Sequence, residues 1–474
     1  MQVASTAALW ITSLLLLGTT LWRLRKPIDA ALLVPGAWLV ATPFQALLLA
    51  ETLKFTGTPR DNMYIGVSIA NLGFVGFQLL AELGVISSLQ ERARRMAAAR
   101  GIGQADNVHG SVRYWFGGLL VVAVGLALLH WALMPRIPIL MLFSGADDHQ
   151  IQLARENAAK LLDAPTMLKY TFAWNSRFIL PLLFMTTVLY RWRWRAVFVG
   201  VFGLVYLMSP LEKLPSVLFV LGPFLGIAIR DSKRLWSPIV IVGVVISLLP
   251  AYGINQAVSL SSSLNPTPPA TAQATPTASP PVSPVSPGSQ FTGLPAPIRG
   301  ALDLVLRRIG EGPTDVTYSW FAYFPEHHPF MNGAGWEPWR VLSPGWQSPA
   351  NLVGLWAYYG KLGYSITSLS AYGSFVADGW GEFGMVGVLI ATLLLLMFAA
   401  VLETMQALAA GRLFCLACYA TALVLFAVLT PQAGIPAMLF SNGLALAPLI
   451  VLGYLWTERR HAGARDVQPA GLPA

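Results

Sequence analysis

The sequence predicts an all-α polytopic membrane protein with about eleven transmembrane helices and one large extracytoplasmic loop. Three observations predict it. Of 474 residues, 55% are hydrophobic and only 11% are charged. The mean hydropathy is +0.59, well above that of water-soluble domains. Apolar stretches of spanning length recur along the chain, and short basic runs lie beside them so that all fall on one side if every stretch crosses. The net charge of +9 is thereby read as an orientation signal, and nucleic acid is excluded as a partner.

Taken in order, the candidate spans are 3–21, 28–50, 63–89, 114–134, 178–190, 196–211, 215–229, 237–258, 385–402, 413–430 and 435–456. The first begins close to Met1, lacks a basic n-region and a small-residue cleavage site, and is read as a retained helix. The runs WRLRK, ERARR, RWRWR, RDSKR, Arg412 and ERR share one side. That places the N-terminus outside and the C-terminus in the cytoplasm. The pair 196–211 and 215–229 is short in each half, joined by the tight turn SPLEKLP. Cys415 and Cys418 sit one turn apart in an apolar run with no other Cys or His nearby in sequence, which predicts buried core thiols.

This organisation assigns 1–258 to an N-terminal bundle of about eight spans, with a surface helix near 149–163. Residues 259–296 form a disordered Pro/Ser/Thr-rich tether, 297–383 an extracytoplasmic catalytic loop, 384–457 C-terminal transmembrane helices and 458–474 a cytoplasmic tail. The surface helix is read from DDHQIQLARENAAKLLDAP, where Ile151, Ala154, Ala158, Leu161 and Leu162 share a face. The tether has almost no charge and almost no large apolar residue, so it cannot bury a core. Beyond it, PIRGALDLVLRRIG places Ile298, Leu302, Val305, Leu306 and Ile309 on one helical face, with Gly310 as the stop.

Several cations remain on the outer side against the orientation trend. Arginine suits forked recognition of phosphate oxygens and lysine supplies a compact charge. Arg155, Arg177, Lys213, Arg307 and Arg308 are therefore candidates for binding a diphosphate headgroup. The competing account is snorkelling to ordinary phospholipid, which is favoured for Arg136, Arg340 and Lys361. The run TYSWFAYFPEHHPF offers Tyr318, Trp320, Tyr323 and His328 as a platform for sugars, although interfacial belts use the same residues. His327 and His328 are adjacent and no HExxH or DxD pattern accompanies them, so no metal is expected. DGWGEFG presents Asp378 and Glu382 four apart, on one face if helical. Either of them, or His327, is a candidate general base for a sugar hydroxyl, and helix capping is the alternative.

Together, LEKLPSVLFVLGPFLG, RRIGEGPTDVTYSWFAYFPEHHPFMNG and SPANLVGLWAYYG leading to DGWGEFGMVGVLI resemble the O-antigen polymerase family, the oligosaccharide repeat-unit polymerases of bacterial envelopes. The resemblance covers most of the chain in architecture and these patches in motif. It implies a C-type glycosyltransferase-like fold, no metal or other cofactor, and an enzyme of the bacterial inner membrane. Such an enzyme polymerises undecaprenyl-diphosphate-linked oligosaccharide, in contact with membrane lipids and with a chain-length regulator as a partner. It also implies diphosphate-binding roles for Arg155, Arg307 and Arg308 in exported loops, and for Lys213 between two mid-chain spans. The tether ahead of the main loop departs from the family pattern. An O-antigen ligase would use the same donor with another acceptor. A flippase or transporter would need repeated halves and polar groups buried mid-span, neither of which the sequence displays.

Overall fold

The computed structural model describes residues 2–49, 55–99, 109–160 apart from 145 and 147, 165–264, 312–337, 340, 346–358, 371–409 and 411–466. It is helical, with no strand among the described residues. Among those residues seven helices are long and apolar enough to cross a membrane: Gln2–Arg23, Ala30–Leu47, Gly57–Glu82, Ser111–Leu133, Thr166–Leu189, Lys213–Arg230 and Phe375–Leu408. Pro238–Ile254 and Leu413–Leu429 are shorter apolar helices. Arg193–Met208 falls on the stretch predicted at 196–211, and Leu446–Asp466 overlaps only the second half of 435–456, whose first half holds the π-turn Ala437–Ser441. Val121, Val201, Leu393 and Met397 all point outward with more than half their surface exposed. Outward apolar faces on several long helices are what a lipid environment requires, and the chain is a multi-pass membrane protein.

Boundaries move where local backbone chemistry overrides hydropathy. The stretch predicted at 63–89 ends as a helix at Glu82. Gly84 then takes φ +78, and a separate amphipathic helix, Val85–Ala99, follows. The stretch at 28–50 breaks between Ala41 and Pro43, because proline has no N–H to continue the ladder. Pro238–Leu264 runs past residue 258, where the tether was expected to begin. Cys415 and Cys418 are free and buried, as their apolar run predicts. The tether beyond residue 264, the helix over 298–309 with Arg307 and Arg308, Leu161, Leu162 and Lys361 lie outside the described residues.

Inside the bundle, polar side chains act as directional glue between helices, since lipid tails offer no competing partners. Asn71 accepts from the Trp38 indole at 2.9 Å and donates to Thr12 and Ser13, both at 3.2 Å. Gln78 donates to Thr20 at 3.1 Å and to the Ala31 carbonyl at 3.0 Å. At the basic end, Arg23 joins Asp29 and Glu82. There Glu403 accepts from the Ala30 N–H at 2.6 Å, satisfying a helix-start donor from a distant segment. Arg412 and Glu458 pair at 3.0 Å at the same end.

The segment predicted to enter the membrane at 385 begins as a helix at Phe375 and turns sharply at Phe383 (φ −140, ψ 23) and Gly384 (φ 62, ψ −141). Gly384 is in a region that only glycine adopts without strain. The arm over 375–382 folds back alongside the start of the span, with backbone on backbone. A Cβ on Gly379 would stand 2.5 Å from the Gly387 carbonyl oxygen, and one on Gly387 would run into the Gly379 carbonyl. The arm is also sunk into the bundle. Phe375 packs on Trp38 at 4.9 Å between ring centroids and on Phe74 at 6.1 Å. Gly312–Tyr323 lies beside it: the Thr314 hydroxyl donates to the Ala41 carbonyl at 3.3 Å, and Phe321 and Val376 both close on Gly66.

Gly387→Ala is expected to cost about 1–3 kcal/mol, read as a lower midpoint of heat-induced aggregation in detergent. Gly125→Ala, where a Cβ meets nothing within 4 Å, should leave that midpoint unchanged.

Candidate functional site

The fold-back decides where the acidic pair goes. Asp378 and Glu382 lie one turn apart on the arm, Asp378 nearly and Glu382 fully buried. Ser374, and not Asp378, caps this helix, its hydroxyl accepting from the Ala377 N–H. Asp378 Oδ2 accepts from the Trp336 indole N–H at 2.8 Å and from the Ile435 N–H at 3.2 Å. Gly434 has no side chain because a Cβ there would overlap the Asp378 carboxylate. Glu382 Oε2 accepts from the Gly335 N–H at 3.2 Å. Its Oε1 has no hydrogen-bond partner among the described residues. It is one of nine buried side-chain polar atoms in that condition among the described residues, and the one carboxylate oxygen of the nine.

A short loop covers the pair. Residues 331–336 are held to the arm by Met331 N–H donating to the Gly381 carbonyl and Asn332 N–H to the Glu382 carbonyl, each at 2.9 Å. Asn332 and Gly333 take φ 52 and φ 89, the left-handed conformations that let so short a loop turn back.

Next to the loop is a rim of aromatic and imidazole rings. His327 lies 4.9 Å from Trp356 and 6.1 Å from Tyr323, and Tyr323 lies 5.5 Å from Trp356. His328 stacks on Tyr323 at 6.0 Å and donates from Nδ1 to the Pro329 carbonyl at 2.6 Å. Burial pushes the Tyr323 phenol above its ordinary range. His327 and Trp356 are the exposed members. His327 therefore belongs to this rim and has no contact with the carboxylates. Trp356 escaped the sequence reading because nothing in LVGLWAYYG separates it from an interfacial anchor.

The other predicted sugar-binding rings are committed elsewhere. Trp320 is buried and donates its indole N–H to the Ala371 carbonyl at 2.9 Å. Its ring fills the space left by Gly381 and Gly373. Tyr318 is half-buried, its ring tilted against Phe55 at 4.6 Å between centroids and its hydroxyl donating to the Thr56 carbonyl at 3.3 Å.

Three predicted cations are described. Arg177 sits on a π-helical turn, Asn175–Ile179, that interrupts the Thr166–Leu189 span. It donates to Asn442 Oδ1, while its Nε is buried without a partner among the described residues. Asn442 closes a second π-helical turn, Ala437–Ser441, on the segment that follows Ile435, so Arg177 and Asp378 are gripped by the same stretch of chain. Arg155 is half-buried on the Asp148–Lys160 helix. Lys213, also half-buried, opens the Lys213–Arg230 helix. Ile151 and Ala154 from the first element and Leu211 from the turn before the second share one apolar cluster, which brings Arg155 and Lys213 onto neighbouring elements.

Two clefts are lined by other residues. One of about 370 Å³ runs between Arg113, Trp194 and Arg195. An apolar groove of about 270 Å³ between Leu394, Phe398, Phe426 and Met438 reaches Ile435, the residue bonded to Asp378. Comparison with known proteins finds no matching family model, no matching curated protein and no matching solved structure.

Trp336→Phe removes a hydrogen bond to a buried carboxylate and should free the loop. Amide exchange at Met331 and Asn332 is expected to rise about tenfold or more, with exchange in the spans unchanged. Equal exchange in the variant and the parent would show that the indole does not hold the loop.

Proposed function

We propose that the protein is a membrane glycosyltransferase that joins undecaprenyl-diphosphate-linked oligosaccharide repeat units into a surface polysaccharide, an O-antigen or exopolysaccharide. It acts on the outer face of the bacterial inner membrane. In this reading all eleven stretches cross in a C-type glycosyltransferase-like arrangement, with the N-terminus periplasmic and the C-terminus cytoplasmic. The end carrying Arg23, Lys26 and Arg412 faces the cytoplasm. The observation that carries the proposal is Glu382: a fully buried carboxylate with one unengaged oxygen. It is joined through Asp378 and the segment after Ile435 to Arg177, and it lies under a loop continuous with an aromatic and imidazole rim.

The chemistry divides among these groups. The acceptor hydroxyl oxygen attacks the anomeric carbon of the donor sugar. The bond from that carbon to the diphosphate oxygen breaks, and its electron pair leaves on the diphosphate. The hydroxyl proton passes to Glu382, the group suited to general-base work by its unengaged oxygen. Asp378, bonded to Trp336 and Ile435, holds the arm in place and adds a second carboxylate one turn away. Arg155, Arg177 and Lys213 stabilise the charge that develops on the leaving group, with Arg307 and Arg308 added by the resemblance. Tyr323, His327, His328 and Trp356 receive the sugars on their faces and edges. Because residues 331–336 cover Glu382, the acceptor must displace this loop before transfer.

Deletion of the gene tests the assignment. Surface polysaccharide reduced to a single repeat unit on the lipid core supports a polymerase. Full-length polymer accumulating on the carrier would instead make the protein a ligase. In proteoliposomes supplied with the lipid-linked repeat unit, Glu382→Gln should lower polymer formation by about 10²–10⁴-fold without loss of folded protein. Parental turnover in that variant would remove Glu382 as the base. Arg177→Ala should weaken donor use, and Arg177→Lys should restore it only in part, since lysine lacks the planar fork.

A further inference from the structure

We propose that His130 is a positioning residue that keeps the helix carrying Arg155 and the π-turn carrying Arg177 in one register. The role rests on the reading of those two cations given above. His130 is buried at the end of the Ser111–Leu133 span, and nothing in the transfer chemistry uses it. Its Nε2 lies 3.2 Å from the Ala158 carbonyl oxygen and its Nδ1 lies 2.8 Å from the Tyr206 hydroxyl. A carbonyl only accepts, so Nε2 carries the hydrogen; Nδ1 is then the bare nitrogen and accepts from Tyr206. The Phe172 ring, stacked on the imidazole at 4.4 Å, fixes its plane.

Two ties from the helix that carries His130 each lead to a cation. Ala158 is on the Asp148–Lys160 helix, on the buried face that also holds Ile151 and Ala154, and Arg155 is carried one turn away. Asn175, the first residue of the π-turn that presents Arg177, is held by the same helix that carries His130. Asn175 is itself anchored by its amide donating to the Ala123 carbonyl at 3.0 Å. The Ser111–Leu133 helix is therefore tied to the surface helix through His130 and Ala158, with Tyr206 orienting the imidazole, and to the π-turn through Ala123 and Asn175. Apolar contacts of Ile151 and Ala154 with Met141 and Leu211 hold the surface helix down without fixing its rotation, since burial is non-directional. A hydrogen bond to one carbonyl fixes that rotation.

The test uses the full chain in nanodiscs with spin labels on Leu153→Cys and Val201→Cys, both exposed positions; Cys415 and Cys418 are buried and do not compete for label. The interlabel distance should be narrow in the parent and in His130→Gln, whose amide can donate to Ala158 and accept from Tyr206. It should broaden in His130→Leu. Inorganic pyrophosphate, titrated as the anion probe, should bind about tenfold more weakly to His130→Leu and to Tyr206→Phe, a loss of about 1.4 kcal/mol. His130→Gln should restore parental affinity. If His130→Leu does not fold, Tyr206→Phe, which deletes one oxygen, carries both measurements. A narrow distance together with parental affinity in the variants would overturn the role. Absence of pyrophosphate binding in the parent would instead overturn the diphosphate reading of the cations, and the distance measurement would then decide the bridge alone.

Discussion

The arrangement depends on one close approach of backbone to backbone, where Gly379 and Gly387 meet across the turn at Phe383 and Gly384. With any side chain at either glycine the arm could not lie against its own span. With the arm displaced, Asp378 would leave Ile435 and Trp336, Glu382 would leave Gly335, and Trp380 would lose the Phe324 carbonyl to which it donates at 3.0 Å. The loop over 331–336 would then have nothing to close on. A motif that reads as a glycine-rich lead-in to a helix is in physical terms a hinge, a seam and a platform for two carboxylates.

A low-dielectric surrounding makes each buried polar group consequential, because water is not at hand to replace a missing partner. Most such groups in the bundle are satisfied locally: Asn71 and Gln78 by hydroxyls, an indole and a carbonyl, Glu403 by a helix-start N–H, and Arg23 by two carboxylates. Glu382 Oε1 and Arg177 Nε are two of nine buried side-chain atoms without a partner among the described residues, Arg23 Nε being another. Asp378, one turn before Glu382, and Arg177 are both bonded to the segment between Ile435 and Asn442.

The run TYSWFAYFPEHHPF, read from the sequence as one platform, divides between the interior and the rim. Tyr318 and Trp320 serve the interior, with Trp320 sealing the seam beside Gly381. Tyr323, His327, His328 and Trp356 gather into one cluster of rings, with His327 and Trp356 exposed. A helix presents successive residues to different sides, so TYSWFAY could never have offered all its rings to one ligand. Which rings turn inward is set by where the neighbouring glycines leave room.

Length, hydropathy and basic runs by themselves determined that the chain is helical and crosses a membrane many times, because a spanning helix needs a long apolar stretch whatever its neighbours do. They also determined that Cys415 and Cys418 are core thiols, and that Asp378 and Glu382 share a helical face, since spacing of four fixes that locally. Only the tertiary structure decided that this face is sunk in the bundle beneath a loop, that Arg177 belongs to Asn442, that Trp356 joins the histidines, and that the helix carrying His130 ties to two cation-bearing elements. Each of these depends on residues far apart in the chain, and on π-turns and left-handed glycines whose geometry no periodicity in the sequence announces.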